Sequence, residues 1–175
     1  MDRNHFELFA LPVSFEIDAS SLSERYQDLQ RSTHPDRFTN ATDREKRLSM
    51  QQASMINEAY QALKDPLKRA QYLLSLHGVD VKADSNTVMD TTFLMQQMEL
   101  REALDDIMDA SDPLAALEVF VADIESRVKD LVSQLQSLFK QSTDDSLKQA
   151  EALSLQLQFL YRLREEAEDR EEALL

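Results

Sequence analysis

Thr33-His34-Pro35-Asp36-Arg37 is the stretch whose reading decides the fold of this chain. It separates two segments of clear helical periodicity. Proline has no backbone N–H and pushes the residue before it, here His34, away from the α region. The flanking segments are therefore two helices joined at a corner that carries an imidazole and a carboxylate. Taken alone, a His-Pro-Asp tripeptide is an ordinary polar helix connection, because short motif matches carry a high false-positive rate. An acid–base dyad is the other chemical reading of His34 and Asp36. No nucleophile, metal cluster or phosphate loop accompanies them, so no catalytic residue, cofactor or bound metal is expected.

Immediately upstream, Leu22, Tyr26 and Leu29 follow 4, 3 spacing and form one helical stripe, with Ser20 or Ser21 as cap and Glu24 completing a box with Ser21. Arg25 and Arg31 lie off that stripe and are expected to face solvent. Downstream, a polar loop from Phe38 to Thr42 leads into a helix from near Asp43. Its expected stripe is Leu48, Met55, Ile56, Ala59 and Leu63, with Gln52 in register. Asp65-Pro66 ends this helix and opens a fourth, carrying Leu67, Ala70, Leu73 and Leu74. That one stops at Gly78, the single glycine, where a left-handed position is wanted. At the N-terminus, Asn4 and Glu7 resemble a capping box on a short helix with Phe6, Phe9 and Leu11, ended by Pro12; a connector over 13–19 buries Phe15 and Ile17. The second and third helices form an antiparallel pair whose ends the first and fourth cover.

Composition bounds the rest. One glycine in 175 residues and abundant helix formers predict an all-α protein. Residues 1–75 hold 11 acids and 10 bases, and the remaining 100 residues hold 22 acids and 9 bases. The second part, at a net −13, would repel nucleic acid and anionic membranes, so neither is an expected partner. There is no cysteine, which excludes disulfides and thiolate metal sites. No apolar run suggests a membrane span and no secretory h-region opens the chain, so a cytoplasmic location is expected.

The first part resembles a J-domain, the module that recruits and activates DnaK-type chaperones. The resemblance rests on Tyr26 to Leu29, on His34-Pro35-Asp36, and on Ile56-Asn57-Glu58-Ala59-Tyr60-Gln61-Ala62-Leu63-Lys64-Asp65-Pro66 with Arg69 and Tyr72. It implies that His34, Pro35 and Asp36 contact the chaperone's ATPase domain and linker. It also implies that Arg25 and Arg31 meet an acidic chaperone surface; as ordinary solvated charges they would have no such role.

Residues 79–90 show no sustained period and read as a connector from which Val79, Val81, Val88 and Met89 could dock on a neighbouring domain. A helix then runs from Asp90 or Thr91 to Ala110. One face holds Phe93, Gln97, Leu100, Leu104 and Ile107, a core seam by spacing. A second face holds Leu94, Met95 and Met98 with Glu99, Glu102 and Asp106. An apolar patch edged by acids is a partner-site candidate, and methionines suit an adaptable surface; a wider core stripe is the other reading. Asp112-Pro113 opens a long helix with the seam Leu117, Val121, Ile124, Val128, Leu131, Leu135 and Leu138. After a turn at Gln141-Ser142-Thr143, the last helix aligns Ala150, Leu153, Leu157, Leu160 and Ala167, with Arg164 in register. Phe159 falls nearly opposite Leu157 and Leu160, an exposed aromatic and a second candidate contact. The three helices form an up-down-up bundle.

The chain is similar over essentially its whole length to the HscB family, J-type co-chaperones of iron–sulfur cluster assembly. The matching segments are Arg69 to Gly78 and Asp90-Thr91-Thr92-Phe93-Leu94-Met95-Gln96-Gln97-Met98-Glu99-Leu100-Arg101-Glu102. The resemblance implies a J-domain over 1–77, a linker over 78–90 and a bundle over 91–175. It implies an HscA-type ATPase chaperone as one partner. The scaffold protein IscU would be the other, bound through Leu94, Met95, Met98, Glu99, Glu102, Asp106 and Phe159. Met98 and Asp106 depart from the family's Leu and Glu but keep the chemistry. The N-terminal cysteine pairs of eukaryotic members are absent, as in a bacterial form. Two rivals differ in class: a general co-chaperone delivering unfolded clients, and a structural coiled-coil adaptor with a J-like packing module.

Overall fold

The computed structural model describes residues 3–34, 41–81 and 90–175. Pro35, Asp36, the Phe38 to Thr42 loop up to residue 40, and the proposed docking residues Val88 and Met89 lie outside them. Among the described residues the fold is all-α: α1 (His5–Leu8), α2 (Ala19–Thr33), α3 (Asp43–Lys64), α4 (Pro66–Leu76), α5 (Thr91–Asp106), α6 (Pro113–Gln141) and α7 (Asp144–Leu174). They fall into two units, Met1–Leu76 and His77–Leu175.

In the first unit, the Asn4–Glu7 capping box forms as expected, with the Glu7 N–H donating to Asn4 Oδ1 at 2.9 Å. The helix ends before Pro12, because Ala10 turns the chain at φ 49°. Asp18, rather than Ser20 or Ser21, caps α2. Its Oδ1 accepts from the N–H groups of Ser20 (3.0 Å) and Ser21 (3.2 Å), two donors that a helix start leaves unpaired. The Ser21 N–H above all holds the Asp18 carboxyl below the usual carboxylate range. Phe15 is buried and Ile17 only half-buried. Thr42 and Glu45 box the start of α3.

The α2–α3 pair runs antiparallel, and its contacts give the register. Thr33 lies by Ser49, whose Oγ donates to the Thr33 carbonyl at 2.8 Å, while Tyr26 lies by Asn57 and Tyr60. This close approach shifts the core face of α3. Ser49, Ile56, Ala59 and Leu63 are buried, whereas Leu48 and Met55 are about half exposed. A small hydroxyl fits where the two helices meet, and a leucine does not. Phe6, Phe9, Leu67, Ala70, Leu73 and Leu74 complete the core. Arg69, nearly buried, donates to the Leu63 carbonyl at 2.7 Å and lies over the Phe15 ring, so it clamps the end of α3 to the 13–18 connector. Gly78 has φ 78°, which a residue without Cβ adopts freely.

In the second unit, α6 and α7 form a hairpin around Ser142, which takes the left-handed conformation. Asp112 caps α6 with Pro113 in the first turn, and Thr143 caps α7. The α7 core is Leu147, Ala150, Ser154, Leu157, Leu160, Leu163 and Ala167. Leu153 and Arg164 sit at its margin, because α7 packs against both α6 and α5 and its buried face is wider than one stripe. Phe120 joins the expected α6 seam. α5 starts at an Asp90 cap, and its last turn tightens into a 3-10 turn at Ile107–Asp109. Contacts between α5 and α7 pair 93 with 159, 101 with 166 and 105 with 170, so these helices run parallel, as an up-down-up bundle requires.

Candidate partner-binding surfaces

The corner surface is built by the ends of α2 and α3. His34 closes α2 with φ −59° and ψ 132°, the extended conformation that a following proline demands, and its side chain is exposed. Beside it lies a cleft of about 740 Å³ lined by Gln30, Arg31, His34, Ala53 and Asn57 among others. A polar network missed by periodicity borders this cleft. The Tyr26 hydroxyl donates to Asn57 Oδ1 at 2.7 Å, and Gln30 Nε2 donates to the Tyr26 oxygen at 2.5 Å. Tyr26 also stacks on Tyr60, with centroids 3.9 Å apart. These bonds join α2 to α3 at the surface and rigidify the mount of the corner.

The two candidate arginines differ. Arg31 lies 3.5 Å from Asp28, with both side chains 74% exposed. An ion pair so exposed is worth little and yields readily to a partner's acid. Arg25 is exposed, as expected, but also bends back. Its Nη1 donates to the Phe9 carbonyl at 2.6 Å and to the Ala10 carbonyl. Carbonyls at a helix C-terminus lack partners within the helix, and Arg25 supplies a donor there, tying α1 to α2.

The α5 surface has both of its faces resolved. Phe93 and Leu104 are buried and Ile107 nearly so, as the core seam requires. On the other side Leu94, Met95 and Met98 are 43%, 58% and 73% exposed, and Glu99, Glu102 and Asp106 are exposed around them. None of these three acids forms an ion pair among the described residues. The acids along the α5–α7 contact are paired: Glu166 of α7 accepts from Arg101 and from Arg170, and Asp105 of α5 from Arg170, all at 2.8 Å. The Asp105 hydrogen bond, with help from Glu166, raises the Arg170 guanidinium further above its ordinary value. Charge is thus neutralised along the α5–α7 contact and left open around the apolar patch.

Phe159 is not the isolated exposed aromatic that the sequence suggested. It is half-buried and meets Phe93 edge to face. The pair floors a groove of about 320 Å³ between α5, α6 and α7, whose walls include Gln96, Gln97, Gln134 and Gln156. α5 leans on α7, and that turns the 159 position inward. Among the described residues no cluster of three or more histidines or carboxylates is placed to hold a metal, and no helix is long and apolar enough to cross a membrane.

Residues 5–72 match the DnaJ domain, and residues 89–168 match the HSCB C-terminal oligomerisation domain. The co-chaperone protein HscB homolog of Pseudoalteromonas atlantica is 45% identical over 171 residues, spanning 98% of each chain. The chain belongs to the HscB family. Another HscB homolog, from Photobacterium profundum, is 46% identical over 97% of both chains. Chaperone HscB from Vibrio cholerae has the same fold, with a TM-score of 0.87 at 43% identity, covering 99% of this chain and all of that one. Human co-chaperone HscB gives 0.87 at 30% identity, over 96% of this chain and 82% of that one. As an HscB-type co-chaperone with a J-domain, the protein has an Hsp70-type chaperone as its partner.

Proposed function

We propose that the two surfaces do separate jobs for one client. His34, Pro35 and Asp36, with Arg31 beside them, dock on an HscA-type chaperone and stimulate its ATP hydrolysis. Arg25 serves that contact by holding α1 on α2. Leu94, Met95 and Met98, with Phe159 at their edge, hold the scaffold protein IscU, and Glu99, Glu102 and Asp106 steer it. The protein thereby delivers IscU to the chaperone and assists maturation of iron–sulfur proteins; the chemistry occurs in the partners.

The observation that carries this reading is the division of α5. Its core face is buried, yet three large apolar side chains stay exposed on the other side within a rim of acids that form no ion pair among the described residues. Such a patch fits a folded partner with a matching apolar surface and a basic edge. A narrow, charged-edged patch suits one folded protein better than diverse unfolded chains. The test is the steady-state ATPase rate of HscA with this protein, with and without IscU. Stimulation that exceeds the product of the two separate effects is expected. Equal stimulation by a reduced, unfolded model protein in place of IscU would favour general client delivery instead.

A further inference from the structure

Residues 91–98 of α5 carry no charge and are apolar on two sides: Phe93 on one, and Leu94, Met95 and Met98 on the other. Hydrophobic burial is non-directional, so it does not by itself choose which side faces the bundle. Burial of Phe93, Leu104 and Ile107 favours the observed side, but the groove beside Phe93 and Leu100 leaves part of that contact unfilled. A second constraint lies one turn further on. Arg101 reaches Glu166, Asp105 reaches Arg170, and Arg170 also bonds the Leu104 carbonyl and Glu166, each at 2.8 Å. At about 100° per residue, Arg101 and Asp105 fall on the same side of α5 as Leu94 and Met98. Rolling that side into the bundle would break the three of these bonds that cross to α5 and bury charge, which is strongly unfavourable.

We propose that the Arg101–Glu166–Arg170–Asp105 ladder is a positioning device that sets the roll of α5 about its axis and so decides which apolar face is offered to a partner. Arg170 is its central member, touching α5 through both a side chain and a backbone carbonyl. The inference deepens the IscU reading, because the face it presents is the one assigned to the scaffold.

The absence of cysteine makes a direct test possible. Single cysteines placed as Met98→Cys and Leu104→Cys report the outward and inward faces through their rates of alkylation by iodoacetamide. In the otherwise unchanged full-length protein, Met98→Cys reacts quickly and Leu104→Cys slowly. Adding Arg101→Met and Arg170→Met together is expected to slow Met98→Cys by about twofold and to speed Leu104→Cys by about tenfold or more, as two rolls become comparably populated. Leu100→Cys reports the same inward face if Leu104→Cys fails to fold. Arg101→Lys with Arg170→Lys should restore most of the difference. Apparent affinity for IscU, measured with the cysteine-free double Met variant, should fall in proportion to the outward population, about twofold. Rates that rise together at both positions would mean local unfolding, and unchanged rates would mean that packing alone sets the roll; either result overturns the proposal. Failure of the unaltered protein to bind IscU would sink the scaffold reading and leave the alkylation test standing.

Discussion

Phe93 and Phe159 meet edge to face, their ring centroids 6.1 Å apart and their planes at 89°. One residue is the first of the α5 core seam, and the other is the aromatic assigned to the partner surface. Phe159 therefore has a foot in each, and its removal should be felt twice. Phe159→Ala is expected to lower stability by about 1–3 kcal/mol, from lost burial and the lost ring pair, and to weaken IscU binding. Leu94→Ala with Met98→Ala should weaken binding with stability changed by less than about 0.5 kcal/mol, since both are exposed. Urea unfolding and calorimetric titration of the two variants separate these effects. Combined as a triple variant they should abolish measurable binding, with the stability loss of Phe159→Ala alone.

The two arginines of α2 should part company. Arg25→Met removes donors from two carbonyls at the end of α1 and is expected to cost about 1–2 kcal/mol in unfolding free energy. Arg31→Ala should leave stability within about 0.5 kcal/mol of the unaltered protein. It should slow association with the chaperone, most clearly at low ionic strength. Denaturant titration and stopped-flow association kinetics read the two outcomes.

His5 supplies a pH test. Its ring stacks on Tyr72 at 4.1 Å, and burial lowers its pKa, with Glu58 acting in the other direction. The folded state then binds fewer protons than the unfolded chain near the ordinary histidine value of about 6.5. Its neutral form favours folding above that value, and this contribution is lost as the pH falls from there through the lowered folded pKa. His5→Phe keeps a stacked ring without the titration. The difference in melting temperature between pH 7.5 and pH 5.5 should therefore be smaller in His5→Phe than in the unaltered protein.

The acids around Met98 act at a distance if they steer. Glu99→Gln, Glu102→Gln and Asp106→Asn together should slow IscU association by about tenfold at low salt and much less at 0.5 M salt, with the dissociation rate little changed. A loss confined to the dissociation rate would assign these residues direct, desolvated contacts instead.

Local signals in the sequence carried most of the fold. The helix ends were legible wherever a proline, glycine or cap sits beside a periodic run, as at Asp65-Pro66, Gly78 and Asp112-Pro113. The exposed α5 face was legible because two faces of one helix hold different chemistry. What was not legible depends on the neighbour. Ser49 replaces Leu48 in the core because α2 comes close at Thr33. Arg25, still exposed, bonds back to two carbonyls at the end of α1 that lie within its reach, and Phe159 turns inward because α5 leans on α7. The Glu166–Arg170 spacing of i, i+4 hinted only at a local pair. Its reach to Arg101 and Asp105 comes from parallel packing between helices 65 residues apart in sequence.

That parallel packing also bears on how the bundle is made. α5 leaves the ribosome first, but Phe159, Glu166 and Arg170 follow it by roughly 65 residues. At about 5–20 residues per second this delay lasts on the order of 3–13 seconds. During that interval α5 has neither its aromatic partner nor its ionic ladder, and both of its apolar faces are open. The α6–α7 hairpin, whose contacts are closer in sequence, is expected to form ahead of it, with α5 docking last. The helix to which the client surface is assigned would then be the final piece of the bundle to be fixed, and early binding to its Met98 side would compete with the protein's own folding.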